Sequence, residues 1–170
     1  MESLQIRLSG IIDESVVDGP GIRYVIFTQG CKHNCKGCHN PNTHDETKGY
    51  LKACDDIIND INETKYLSGV TFSGGEPFLQ PDKCAYIAKR IKKEYNIIAY
   101  TGYLYEQLLE LSKVNQAIMD FLKQIDILVD GPFILEQKSL ELKFKGSKNQ
   151  RMILVKKSLC ENKVILYDED

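Results

Sequence analysis

With 170 residues, 42% of them hydrophobic and 27% charged, and a formal net charge of −2, the chain has material for one folded core, which excludes a disordered or membrane-embedded class. The charge balance leaves no electrostatic footprint for nucleic acid, and no apolar run approaches the roughly 20 residues of a membrane span. The first nine residues carry Glu2 and Arg7 and lack the apolar block of a signal peptide. A cytoplasmic chain is therefore expected, forming a single domain over residues 1–170 and making no membrane contact. In that compartment thiols stay reduced, so six cysteines argue for metal or redox chemistry before disulfides.

In chain order, residues 3–15 mix apolar and polar side chains, with an edge strand expected around Ile6 and Leu8. Asp18-Gly19-Pro20-Gly21 is a tight turn, since two glycines admit positive φ and the proline fixes a negative one. It feeds 22–28, rich in β-branched and aromatic residues, which predicts a buried strand. Cys31, Cys35 and Cys38 follow within eight residues on the loop leaving that strand. Over 47–62, Tyr50, Leu51, Cys54, Ile57, Ile58 and Ile61 recur at three- and four-residue steps and predict a helix. A strand over 66–72 ends in Ser73-Gly74-Gly75-Glu76-Pro77, and a second helix starts near Pro81, burying Cys84, Ile87, Ala88 and Ile91. A short strand at 96–100 precedes a Thr101-Gly102-Tyr103 turn. Helical material over 104–122 is broken near Ser112. The strand 125–129 closes in Asp130-Gly131-Pro132-Phe133. Residues 135–148 read as basic and irregular, and 152–155 and 164–167 supply further strands.

Strands alternating with helices indicate parallel βα units, whose binding sites gather at the carboxyl ends of the strands. Four such ends carry unusual turns: the cysteine loop, Ser73 to Pro77, Thr101-Gly102 and Asp130-Gly131. The fold class is α/β, and the number of βα units permits an incomplete parallel barrel or an open twisted sheet. Three thiolates cannot close the four-coordinate shell of zinc, and they leave one iron of a cubane without a protein ligand. Two readings stand at this point: a cluster with an open position for a substrate, or a non-catalytic zinc-binding module whose fourth ligand is His33, His39 or His44.

The spacing Cys31-x3-Cys35-x2-Cys38, with Gly74-Gly75-Glu76 after a later strand, resembles the radical S-adenosylmethionine superfamily. Val17-Asp18-Gly19-Pro20-Gly21-Ile22-Arg23 and Cys38-His39-Asn40 are similar to the activases of glycyl radical enzymes. Residues 126–133 and 145–151 resemble the branch that acts on anaerobic ribonucleoside-triphosphate reductase. The resemblance spans about 11–155 and implies a partial parallel βα barrel of the radical S-adenosylmethionine type.

It implies further that Cys31, Cys35 and Cys38 hold a 4Fe-4S cluster as the metal and catalytic residues, with S-adenosyl-L-methionine chelating the fourth iron. Reductive cleavage would release a 5'-deoxyadenosyl radical that takes hydrogen from a glycine of the reductase large subunit. Flavodoxin or ferredoxin would supply the electron. Ser73, Gly74, Gly75 and Glu76 would receive the methionine ammonium, while Thr101 and Asp130 are candidates for ribose or methionine contacts. The position before the last cysteine, aromatic in many members, is Gly37 here, so Gly37, Cys38 and His39 are placed beside the adenine. Another glycyl radical enzyme, of the pyruvate formate-lyase type, is the alternative partner.

Plainer roles stand beside these. Asp18 to Gly21 is a hairpin turn or touches the partner's glycine loop. Cys54 and Cys84 lie on apolar helix faces as small core residues, and Cys160 is incidental. The segment 138–157 is a solvated face from which Asn149 and Arg151 are candidates to reach the cofactor or partner.

Overall fold

The computed structural model describes residues 3–38 and 41–168. Seven strands form one sheet in the order β3-β1-β2-β4-β5-β6-β7. They are β1 (Gln5–Ser15), β2 (Arg23–Thr28), β3 (Tyr50–Ala53), β4 (Gly69–Gly74), β5 (Asn96–Tyr100), β6 (Ile127–Asp130) and β7 (Arg151–Leu154). β2, β4, β5 and β6 run parallel, while β1 and β3 on one side and β7 on the other are antiparallel to their neighbours. The helices are α1 (Cys54–Glu63), α2 (Pro81–Arg90), α3 (Tyr105–Ser112), α4 (Gln116–Leu122) and α5 (Val155–Glu161). No helix among the described residues is long and apolar enough to cross a membrane.

Successive side chains of a strand point to opposite faces, and the parallel strands use both. Tyr24 and Ile26 of β2, Val70 and Phe72 of β4, Ile97 and Ala99 of β5 and Leu128 of β6 enter the larger core with Ile57 and Ile61 of α1, Ile87 of α2 and Phe121 of α4. Phe72 and Phe121 meet edge to face, their centroids 5.1 Å apart. Ile98, Ile127, Val129 and Met152 form a smaller cluster on the other face, against which Tyr100 and Phe144 pack. The helix ends follow local chemistry. Asp55 and Asp56 open α1, Pro81 occupies the first turn of α2 while Lys89 and Arg90 close it, and Asn115 caps α4 by accepting from the Ala117 N–H at 3.1 Å.

The Asp18–Gly21 turn folds beneath the second face, held by a buried arginine. Arg23 is 1% exposed and donates through Nε to Thr71 Oγ1 at 2.7 Å, through Nη1 to the Pro20 carbonyl at 3.2 Å and through Nη2 to the Val70 and Asn96 carbonyls at 3.0 and 2.8 Å. Thr71 Oγ1 in turn donates to the Asp18 carbonyl at 2.8 Å. Burial draws the Arg23 pKa down to about 10, because desolvation disfavours the charged form. Gly19 approaches so closely that a Cβ there would lie 2.7 Å from Arg23 Cδ and 2.8 Å from Ile98 Cδ1.

Several expectations are corrected. The strand around Ile6 and Leu8 is no edge: it belongs to the eleven-residue β1, and β3 covers it. That β3 is the N-terminal part of the predicted helix 47–62. Tyr50 and Leu51 are 45% and 51% exposed and pair with Leu8 and Arg7, so the apolar spacing there served an edge strand, and α1 begins only at Cys54. β4 starts at Gly69, since Tyr66 is 87% exposed with φ of 67°. Val155 opens α5 rather than extending β7, and 164–167 contributes one isolated bridge, Leu166 to Ile153. The start of α2 at Pro81, the β5 bounds and the break after Ser112 agree with the sequence reading.

Candidate iron-sulfur and cofactor site

Parallel registry puts the four unusual turns along one edge. Thr28 pairs with Gly74, Phe72 with Ala99 and Tyr100 with Val129, so the loops leaving β2, β4, β5 and β6 emerge side by side. They surround one cleft, lined by Cys31, Cys35 and Cys38 from the first, Gly74 and Gly75 from the second, Thr101 and Gly102 from the third, and Gly131 and Phe133 from the fourth.

The cysteine loop is stapled at its base. The Cys31 N–H donates to the His44 carbonyl at 3.1 Å, and the Gly30 carbonyl accepts from the Glu76 N–H at 2.7 Å. Gln29 Nε2 ties the returning segment down through the Asn42 and Asp45 carbonyls at 2.9 and 2.8 Å. All six cysteines remain thiols, and Cys31, Cys35 and Cys38 are half-buried. Burial, with a smaller contribution from the Glu76 charge, pushes the Cys31 thiol up to about 11; binding of a metal there would reverse that, because the ligand is the thiolate.

The glycines of the β4 turn are fixed by the protein's own backbone. Gly74 has φ of 95°, and a Cβ there would lie 2.5 Å from the Thr28 nitrogen. At Gly75 it would strike the Gly30 carbonyl oxygen and lie 2.9 Å from that of Thr43. These residues let the loops after β2 and β4 close on each other. Gly37, with φ of 75°, is exposed, and Leu135 covers it: a Cβ there would lie 2.8 Å from Leu135 Cδ1. The position that lacks an aromatic ring thus receives an apolar neighbour from a later segment.

Other predicted residues lie elsewhere. Glu76 is 1% exposed, below the cleft, and accepts from His33, Thr101, Gly102 and Phe78. Asp130 is fully buried and turned from the cleft toward Arg151 and the Tyr105 N–H. Asn149 donates to the Pro132 carbonyl at 2.8 Å, and Arg151 is held by Asp130 and Glu106, so both brace the β6 turn. Ser73, the penultimate residue of β4, accepts through its carbonyl from Thr28 Oγ1 at 3.2 Å. His39 lies outside the described residues. Tyr100 and Gln150 line the cleft although sequence reasoning did not single them out as ligand contacts; Tyr100 is the last residue of β5, one before the Thr101 that was chosen. Burial raises the Tyr100 phenol well above its ordinary range.

Three thiols line a cleft with glycine turns and backbone polar groups, and three soft thiolates are the donor set of a group that takes three protein ligands and leaves one metal position open, although among the described residues no three His, Cys, Asp or Glu side chains already stand in a metal-holding arrangement. His33, one of the candidate fourth ligands of the zinc alternative, has its Nε2 engaged by Glu76 at 2.6 Å.

Comparison with known proteins agrees with this donor set. A family model described as a 4Fe-4S single cluster domain matches residues 17–153. The anaerobic ribonucleoside-triphosphate reductase-activating protein of Escherichia coli (strain K12) is 39% identical over 145 residues, covering 79% of this chain and 90% of that protein. The pyruvate formate-lyase-activating enzyme of Clostridium pasteurianum is 35% identical over 127 residues, 71% of this chain and 53% of its own length. A solved structure, QueE from Escherichia coli, is 18% identical and aligns with 58% of this chain and 52% of its own at a TM-score of 0.42, an overlap too small to bear on the fold. With four-fifths of its length matched to the iron-sulfur cluster domain and to an activating protein at this identity, the chain belongs to the 4Fe-4S single cluster domain family, among the anaerobic ribonucleoside-triphosphate reductase-activating proteins.

Proposed function

We propose that the chain is a radical S-adenosylmethionine enzyme that installs a glycyl radical on the large subunit of an anaerobic ribonucleoside-triphosphate reductase. One observation carries this reading: the turns after four parallel strands bring three cysteine thiols and three glycine-containing turns, one of them holding Thr101, to one cleft, in a chain 39% identical to such an activating protein. When bound, a 4Fe-4S cluster and S-adenosyl-L-methionine supply one-electron cleavage of the sulfonium and the hydrogen abstraction that follows.

Cys31, Cys35 and Cys38 would hold three irons. Gly74 and Gly75 keep the β4 turn low enough for a ligand to lie over its backbone, with Ser73 at the strand end, and Thr101 and Gly102 form the adjoining wall. Tyr100 and Phe133 present aromatic surface that excludes water from the cleft. Gly37 and His39 belong to the adenine side in this proposal, and flavodoxin or ferredoxin is the proposed electron donor. The mixed sheet is proposed as an incomplete βα barrel, its Ile98 and Val129 face turned inward, with the Asp18–Gly21 turn placed along that face toward the partner's glycine loop. Residues 1–170 would act as one domain.

The test is to reconstitute the protein anaerobically with iron and sulfide, reduce it, and add S-adenosylmethionine with the reductase subunit. A glycyl radical doublet by electron paramagnetic resonance is expected. Its absence while the cluster remains intact would sink the proposal. Substituting pyruvate formate-lyase for the reductase addresses the second reading, which the Clostridium pasteurianum relative favours; a doublet there and none with the reductase would select it.

A further inference from the structure

The resemblance directs the Glu76 side chain at a cofactor ammonium, yet its surroundings occupy it fully. Oε1 accepts from His33 Nε2 at 2.6 Å, Thr101 Oγ1 at 2.9 Å and the Gly102 N–H at 2.8 Å. Oε2 accepts from Thr101 Oγ1 at 2.9 Å and the Phe78 N–H at 3.0 Å. A carboxylate offers about four lone-pair positions, so a further donor has no place while His33 stays.

His33 stands between the first two cluster cysteines. Its side chain is 18% exposed, its ring meets Tyr103 edge on with centroids 4.6 Å apart, and a Cβ on Gly102 would lie 2.5 Å from its Cδ2. Cysteine loop, β4 turn and β5 turn therefore meet at this imidazole. The neighbouring Lys32 makes an exposed 3.8 Å pair with Glu46, which fixes little.

We propose that His33 is a positioning residue for the cluster: Glu76, Tyr103 and Gly102 grip its imidazole and so set the loop from Cys31 to Cys35 against the later strands. Glu76 then acts on the cysteines through His33. The inference rests on the reading that the three cysteines hold the cluster. Glycine at 102 follows from the same grip, since any side chain would enter the imidazole's place. A buried charge-assisted bond of this kind is worth more than an exposed one.

The test compares wild type, His33→Ala and His33→Gln, the last placing an amide N–H near the position of Nε2. Hydrogen exchange on metal-free protein should show amides of 31–38 exchanging about tenfold faster in His33→Ala, with β4 and β5 unchanged and His33→Gln largely restored. After reconstitution, His33→Ala should lose its visible cluster absorbance to a chelator several-fold faster than wild type. Equal loop exchange in His33→Ala and wild type would overturn the assignment, as would His33→Gln exchanging as fast as His33→Ala. Faster loop exchange in wild type on adding S-adenosylmethionine would also overturn it, because the ammonium would then be displacing His33 from Glu76. A wild-type protein that takes up no iron would remove the cluster reading itself, while the exchange comparison still decides whether His33 fixes the loop.

Discussion

Asp130 and Arg151 face each other across β6 and β7 as a registered pair, with Arg151 Nη2 on Asp130 Oδ2 at 2.6 Å and Nε on Oδ1 at 3.1 Å. The carboxylate is fully buried, and the guanidinium, 31% exposed, also grips Glu106. These bonds hold the guanidinium above its ordinary pKa and the Glu106 carboxyl below its own. Asp130→Asn is expected to destabilise the fold by about 2–3 kcal/mol, below the full cost of breaking a buried pair because Arg151 keeps water and Glu106. S-adenosylmethionine affinity should change less than twofold. Urea unfolding and equilibrium binding check both; a tenfold loss of affinity would return Asp130 to the cofactor site.

Cysteine substitutions divide by place. Cys31→Ala, Cys35→Ala and Cys38→Ala should each abolish S-adenosylmethionine cleavage and the iron content of a complete cluster. Cys54→Ala, changing a fully buried thiol under α1, should retain both. Iron and sulfide analysis with product chromatography decides it, and cleavage retained in any of the first three would contradict the ligand assignment.

Gly75→Ala forces a methyl group onto the Gly30 carbonyl, and neither backbone can yield without opening the cleft. A loss of about 1–3 kcal/mol is expected, together with reduced iron uptake, since Gly30 immediately precedes Cys31. Thermal unfolding of the metal-free protein measures the first and iron analysis the second.

Alkali should reveal the buried thiol of α1. Burial, with the charge of Asp55 adding to it, raises Cys54 from its ordinary 9.0 to about 11. A raised folded pKa contributes stability that is complete below pH 9 and is lost as pH climbs through 11, because the unfolded chain releases its proton first. At pH 10.5 this one group accounts for about 2 kcal/mol. Metal-free wild type should therefore lose about 2 kcal/mol more than Cys54→Ala between pH 7.5 and 10.5 in urea titrations, and parallel losses would show the thiol to be ordinary.

The sequence placed α2, β5 and the break after Ser112 because each depends on neighbours in the chain: proline in a first turn, β-branched residues in a short run, polar residues between helical stretches. It misplaced 50–53 because an apolar spacing of three and four fits an amphipathic helix as well as a strand that shields β1, and only pairing with Leu8 and Arg7 decides between them. α5 was missed for a related reason, as Val155 continues the apolar run of β7.

For the site, the chain alone determined the three thiols of the cysteine loop, the turns that face them and the edge on which they gather, since cysteine spacing and βα alternation are written in sequence. What each polar side chain does there was a tertiary decision. Glu76, just after β4, and Asp130, at the end of β6, look much alike on paper. In the fold, Glu76 meets His33 from a loop 43 positions away and Asp130 meets Arg151 from 21 positions away. A buried carboxylate must be satisfied by whichever donors packing brings to it, and no local pattern records which those are.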